Sequence, residues 1–535
     1  MKFTVFPPSR SEPSDFSGAA LQQDEWNDYS FQTQYHLYLK TDEFSGLIGT
    51  VKLLRRGQTS TDPLQLQPGP LNPLDDAWVS LGQELDYYER LAQLSEPLRI
   101  EILEHLRDAL SVSDHADSFV EEEGWRTSIL RFIDWESFHR DATVLLERNY
   151  DRVARTGLTL EFQMAGWRDP LVLDFQAPRP VVHQQSSVLP DRLAVIIGRN
   201  GSGKSTLLSR LARILHASQR DRTGESLSKL GKVSPEGIGF TRVVNIAYSA
   251  FDAFQLPGID YRERNQLVED LEKGTGRYHY CGLRNLAKEV RRSEGVGDVD
   301  GMPIQEIGLD RQETVLFKTG EQLALEFERT VKRIEEMDRQ EVFSEVCNVL
   351  ATDPSFSDLG VNPAATVIGN PLSWFQVWST GHKIVMHASA SLVAYTEPKS
   401  IVLIDEPESH LHPPLLASFM HAVRLILEKN DAFGVVATHS PVVAQETLHR
   451  HTSVVRRNGG ETTIRRPKIE TYGESIGEIS NEVFGLTSDT TDFHTVLSSL
   501  VERGLSLEQI EELFDLGLSL QARAFALSEL AQRDL

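Results

Sequence analysis

The stretch that most constrains the fold of this chain runs from Arg192 to Leu215. Leu193–Ile197 is an uninterrupted apolar run, short enough for a buried strand. Gly198-Arg199-Asn200-Gly201-Ser202-Gly203-Lys204-Ser205 follows and matches G-x-x-x-x-G-K-[ST]; Leu207, Leu208, Leu211 and Leu215 then recur at helical spacing. In a strand–loop–helix context the glycines turn backbone N–H groups around a polyphosphate, and the helix N-terminus adds partial positive charge. Asn200, Gly201, Ser202, Gly203, Lys204, Ser205 and Thr206 are therefore expected to bind ATP. Lys204 would reach the β- and γ-phosphates, and the Ser205 hydroxyl would hold Mg²⁺.

Ser400–Pro414, SIVLIDEPESHLHPP, is the second anchor. Ile401–Ile404 reads as another buried strand that ends in Asp405-Glu406. Asp405 is expected to hold Mg²⁺, and Glu406 to act as the base that orients the attacking water. Gly434–Thr438 is a third apolar strand and delivers His439, about thirty residues after Asp405, where it can contact the γ-phosphate. Ser379-Thr380-Gly381 is a small-residue turn opening a helix, a place where N–H groups can meet a phosphate. Val243–Pro257 reads as a core strand followed by a polar and aromatic loop, in which Gln255 is the one glutamine.

The whole chain narrows the function further. With 54 Lys and Arg against 78 Asp and Glu, the formal charge is −24. That weighs against coating duplex DNA through a generally basic surface, though a local basic groove is compatible with it. Cys281 and Cys347 are too few for a disulfide framework or a cysteine zinc site and read as reduced thiols. The N-terminal apolar run is too short for a signal peptide, and no run of about 18 apolar residues occurs. The expectation is a cytoplasmic protein with no membrane partner.

Four segments are expected. Residues 1–257 form the N-terminal part of the head: a loose lead-in over 1–28, two paired strands over 29–58, a helical insert at about 77–150, strands over 156–175 and then the phosphate loop. Residues 258–372 are read as an inserted helical lobe, with Gln322–Leu350 as its longest helical stretch. Residues 373–469 complete the head and end in a hairpin over Asn458-Gly459-Gly460. Residues 470–535 read as three or four short helices and a possible partner-binding tail. Arg456, Arg457, Arg465, Arg466 and Lys468 surround the hairpin; they fit either a solvated surface or a nucleic-acid or partner contact.

In chain order the motifs are GRNGSGKST, STGHK, IVLIDEPESHLHP and ATHSP. Together they resemble the ATP-binding-cassette class, in the branch of chromosome-organising, recombination and overcoming-lysogeny ATPases. The resemblance implies an α/β fold: an ABC-type P-loop head with an N-terminal β layer, helical insertions and a helical C-terminal tail. It also implies a head-to-head dimer or higher homo-oligomer, in which Ser379 and Gly381 act on the nucleotide held by the other subunit's Lys204. Ser409–His412 would lie at the seam, a blander reading of His410 and His412 than a metal site. The signature begins Trp-Ser-Thr-Gly-His instead of Leu-Ser-Gly-Gly-Gln.

YSAFDAFQLP, STGHK, DEPESHLHP and TYGESIGEISNEVFGL are similar to the PtuA ATPases of Septu antiphage systems. GTVKLLRRGQ and LGQELDYYERL look most like the versions encoded with a retron. That resemblance implies an ATPase subunit that controls a separate HNH nuclease of the PtuB type, together with a retron reverse transcriptase and its msDNA. The alternative is a stand-alone ATPase of the same branch in DNA repair or processing. A built-in Toprim nuclease is disfavoured, because the 96 residues after His439 contain no Asp-x-Asp.

Overall fold

The computed structural model describes residues 1–9, 11–111, 115–150, 158–175, 189–250, 252–259, 261–297, 306–307, 310–312, 315–358, 364, 367, 369–485 and 492–533. The first unit is a six-stranded sheet ordered β5-β1-β2-β3-β4-β6. Its strands are β1 Phe3–Phe6, β2 Gly18–Gln23, β3 Gln34–Lys40, β4 Ser45–Arg55, β5 Gly69–Pro70 and β6 Trp78–Gly82. The helices Leu85–Leu91, Glu96–His105 and Trp135–Glu147 cover it over a core of its own that includes Leu37, Val51, Tyr88 and Ile102.

Two readings of this unit are corrected. Residues 1–28 are not a loose lead-in, because β1 and β2 pair in parallel with Phe3 opposite Ala19. A four-residue strand followed by a Pro- and Ser-rich loop carries too little periodicity to be read locally. The helical insert likewise begins later than residue 77, since β6 is a buried strand on β4.

A three-stranded sheet, β10-β7-β8, follows, built from β7 Thr159–Met164, β8 Leu171–Asp174 and β10 Gly231–Ser234. The central sheet has seven strands ordered β12-β11-β15-β16-β9-β17-β18. These are β9 Leu193–Ile197, β11 Val243–Ala247, β12 Tyr278–Gly282, β15 Ile401–Asp405, β16 Phe433–Thr438, β17 Thr452–Asn458 and β18 Glu461–Arg465. A small hairpin pairs β13 Glu306–Ile307 with β14 Arg311–Gln312. In the central sheet every pairing is parallel except the β17–β18 hairpin. The apolar runs suit a sheet buried on both faces.

Alternate residues of β9 serve opposite cores. Val195 and Ile197 pack with Val402, Ile404 and Val436 under the helices Gly320–Glu336, Gln340–Leu350, Thr380–Tyr395 and Pro413–Lys429. Ala194 and Ile196 pack with Leu207, Leu211 and Leu215 of the helix Lys204–His216, and with Leu267 and Val290 of the helices Tyr261–Lys273 and Leu286–Gly297.

Residues 258–372 are therefore not a helical lobe alone. Strand β12, YHYCG, lies within them and forms an edge of the central sheet. Five residues between two charged helices give no alternation that would mark a strand. The helical stretch expected over 322–350 is also two helices, broken at Asp338, which adopts a left-handed φ of 54°.

Buried ion pairs join the first unit to the head. The helix Leu85–Leu91 offers Asp86 to Arg277 (3.0 Å), Arg90 to Asp270 (3.0 Å) and Glu89 to Arg242 (3.4 Å). Burial opposes the charge on Asp86, yet Arg277, His216 and Arg90 hold its carboxyl down at about 2. Beyond the sheet, the helix Ile476–Phe484 packs on the head through Ile479 and Val483. The helices Asp492–Glu502, Leu507–Glu511 and Leu520–Arg533 share a small core around Leu497, Val501 and Ile510.

Candidate active site

The site forms where three neighbouring parallel strands end. Strand β9 feeds the phosphate loop, β15 ends in Asp405, and β16, lying between them, delivers His439. The loop needs its glycines for definite reasons. Gly201 and Gly203 adopt φ of 77° and 97°, the left-handed region that costs other residues strain. A Cβ on Gly198 would come 2.3 Å from the Val455 carbonyl oxygen. Lys204, 4% exposed, donates to the Gly198 oxygen at 2.9 Å and to the Arg199 oxygen at 3.2 Å. Burial lowers its pKa, while Glu406, Asp405 and Glu408 oppose that shift. Ser202 Oγ is buried with no hydrogen-bond partner among the described residues, a hydroxyl that suits a ligand.

Ser205 Oγ donates to Asp405 Oδ1 at 3.0 Å. Burial, with Glu406 and Asp252 adding to it, pushes the Asp405 carboxyl up to about 8. Two hard oxygen donors side by side, one an acid whose charge is penalised by its surroundings, fit Mg²⁺, which is commonly held by one or two protein oxygens plus phosphate. Gln255 closes the same recess. It is 4% exposed, and neither amide atom has a partner among the described residues.

Glu406 adopts a left-handed φ of 47°, its N–H bonded to the Ala437 oxygen at 2.8 Å. Its carboxylate is part-exposed, with Oε1 at 3.8 Å from His439 Nδ1. Against His439 stands a residue the sequence reading did not single out. Glu408 Oε1 accepts from Thr438 Oγ1 at 2.8 Å and from the His439 N–H at 2.6 Å, and lies 2.9 Å from His439 Nδ1. Trp167, in the turn between β7 and β8, was missed as well. Its ring lies so close over Gly203 that a Cβ there would stand 2.9 Å from it.

Ser379 and Gly381 lie elsewhere. Ser379 caps the helix Thr380–Tyr395, its Oγ accepting from the His382 N–H at 3.3 Å, and it is solvent-exposed. Gly381 packs under the His410 oxygen and Leu411, in the loop after β15. Neither hydrogen-bonds to the phosphate loop of its own chain among the described residues. His412 caps the helix Pro413–Lys429, Nδ1 accepting from the Leu415 N–H at 3.3 Å. No group of three or more metal-ligating side chains occurs among the described residues.

Most of the basic hairpin has internal work. Arg456 donates to the Glu482 oxygen at 2.6 Å, Arg465 pairs with the Glu482 carboxylate, and Arg466 donates to the Thr452 and Val172 oxygens. Arg199 in the phosphate loop reaches the Phe484 oxygen at 2.9 Å, tying the loop to the end of the helix Ile476–Phe484.

Comparison with known proteins finds similarity to an AAA domain. A family described as "AAA domain, putative AbiEii toxin, Type IV TA system" matches residues 316–444, the part that carries Ser379, Asp405, Glu406 and His439. The chain is 28% identical over 529 residues to Protein ea59 of Escherichia phage lambda, covering 96% of this chain and 95% of that protein. Among solved structures it is similar to a nucleotide-free ATP-binding cassette from an ABC transporter, at 15% identity and a TM-score of 0.28, over 61% of this chain and 96% of the other. Another is an SMC head domain from Thermotoga maritima, at 14% identity and a TM-score of 0.26, over 59% and 100%. No helix among the described residues is long and apolar enough to cross a membrane.

Proposed function

We propose that this chain binds ATP with Mg²⁺ at the phosphate loop and hydrolyses it. The observation that carries the reading is the meeting of Ser205 and Asp405 at the end of β15, with Glu406 and His439 beside them. In this reading the loop N–H groups and Lys204 bind the β- and γ-phosphates, and Ser205 and Asp405 hold the metal, which neutralises phosphate charge when bound. Glu406 orients water toward the γ-phosphate. His439, held by Glu408, contacts that phosphate from the other side. Trp167 supplies a flat apolar surface next to the loop, suited to a purine ring. Ser379, exposed, and Gly381, half-buried, neither bonded to the phosphate loop of its own chain among the described residues, would complete the site of a second copy, making the working form a head-to-head dimer or higher homo-oligomer.

The wider role we propose is that of a PtuA-like subunit that controls a separate HNH nuclease in antiphage defence, with a retron reverse transcriptase and msDNA as further partners. The motif resemblance supports it; the similarity along most of the chain to a phage-lambda protein supports a phage-related setting, which both readings share. The tail suits a partner. Leu516 and Leu520 are 99% and 90% exposed on a three-helix unit with its own small core. Removing that unit from residue 492 onward should leave ATP binding intact and lose the nuclease on co-purification. Retention of the nuclease at full stoichiometry would refute the tail as its site. The second reading, a stand-alone ATPase in DNA processing, draws on the relative being phage-encoded; it requires nucleic-acid-stimulated turnover without any nuclease.

A further inference from the structure

Away from the phosphate loop, a cavity of about 440 Å³ opens where the helices Tyr261–Lys273 and Leu286–Gly297 face the helix Gly320–Glu336, at the β12 edge of the central sheet. Six Lys and Arg line it against three Glu, in a chain whose net charge is −24. Four of those cations are already paired, among them Lys273 with Glu269 at 3.7 Å. Arg284 is held by Asp252 and Glu289, Lys318 by Glu326, and Lys332 by Glu336. Arg329 and Arg333 are not. Each gives Nε to a main-chain oxygen, of Leu325 and Ala394 respectively, both at 3.3 Å, and neither meets a carboxylate among the described residues.

They stand one turn apart on one helix face, where like charges repel. The Arg333 guanidinium lies 4.7 Å over the Tyr395 ring, and His279 stacks on the same ring at 3.6 Å. His279 is 7% exposed, lines the cavity, and its Nε2 is buried without a hydrogen-bond partner among the described residues. A buried polar nitrogen left unpaired is costly and rare in native proteins. Two guanidinium forks with free donors and one imidazole nitrogen, gathered in one basic recess, match the oxygens of a phosphate group. The volume lies within the usual range for a small-molecule site.

We propose that this cavity is a second anion site, independent of the phosphate loop, that takes a phosphate ester of nucleotide size through Arg329, Arg333 and His279. The ligand would be a free nucleotide or a nucleotide of a single strand. Tyr395 ends the helix that Ser379 opens, so the occupant would sit at the far end of that helix.

The test uses the full chain with Lys204→Ala, which removes the phosphate-loop lysine. AMP is titrated by calorimetry and a labelled oligo-dT by fluorescence anisotropy, with and without Arg329→Gln and Arg333→Gln. The expected result is binding of at least one probe, weakened about tenfold or more in the double variant. Binding of AMP alone assigns the site to free nucleotides, and binding of oligo-dT alone assigns it to a strand. Arg333 packs on Tyr395, so Arg329→Gln by itself, on an exposed position, is the variant that leaves the fold untouched; it should still weaken binding severalfold. No binding of either probe at millimolar concentration overturns the proposal. So does binding that Arg329→Gln leaves unchanged.

Discussion

Ser205 Oγ and Asp405 Oδ1 lie 3.0 Å apart although 200 positions separate them in sequence. The helix Lys204–His216 and strand β15 are each fixed by burial on the central sheet, so the contact follows from packing of the whole head. Ser205→Ala should raise the Mg²⁺ concentration needed for half-maximal ATP turnover by about tenfold or more. Asp405→Asn should lower turnover further at any Mg²⁺ concentration. Metal titrations of steady-state hydrolysis read both effects.

In the proposed mechanism Glu408 acts through His439 and Thr438, which it contacts, and is a positioning residue. Glu408→Ala should reduce kcat by about tenfold to a hundredfold with KM for ATP little changed. Glu408→Gln, which keeps an acceptor for the His439 N–H, should recover part of that loss. Equal losses in kcat/KM through KM alone would contradict this role.

Asp86 ties the N-terminal sheet to the head. Asp86→Asn leaves Arg277 buried without its carboxylate and should destabilise the protein by about 3–5 kcal/mol. The pH dependence has a definite sign. The folded carboxyl is held at about 2, below its ordinary 3.8, so its contribution is complete above pH 4 and is lost as pH falls through 2. Thermal unfolding at pH 7 and pH 2 should show a large difference between wild type and variant at the first and a small one at the second.

A Lys204→Ala chain mixed with a Gly381→Asp chain should regain part of the hydrolysis that each has lost, because one composite site then has both halves intact. Mixtures that stay inactive after verified subunit exchange would show that Ser379 and Gly381 do not act across copies.

The phosphate loop and the acidic end of β15 were legible because each is a local pattern: an apolar run followed by residues whose chemistry requires that spacing. Both occupy the expected elements, and Gln255 lies beside them. Glu408 was not legible, since its partners Thr438 and His439 reach it only once β15 and β16 pair. Trp167 was hidden for the same reason, because its place over Gly203 depends on how the β7–β8 hairpin folds onto the head. Strands β1 and β12 are too short to show periodicity, and only their pairing with β2 and β11 defines them. The basic residues of the hairpin showed their charge in the sequence but not their partners, Glu482 and the main-chain oxygens around it.

The central claim is that ATP is bound by the loop around Lys204 and cleaved with Glu406 as the base. ATP binding and single-turnover hydrolysis, measured side by side on wild type, Lys204→Ala and Glu406→Gln, test it most directly. Lys204→Ala should bind ATP weakly. Glu406→Gln should bind it as tightly as wild type but hydrolyse it at least about a hundredfold more slowly and accumulate dimers. Wild-type turnover in Glu406→Gln, or unaltered ATP affinity in Lys204→Ala, would contradict the account.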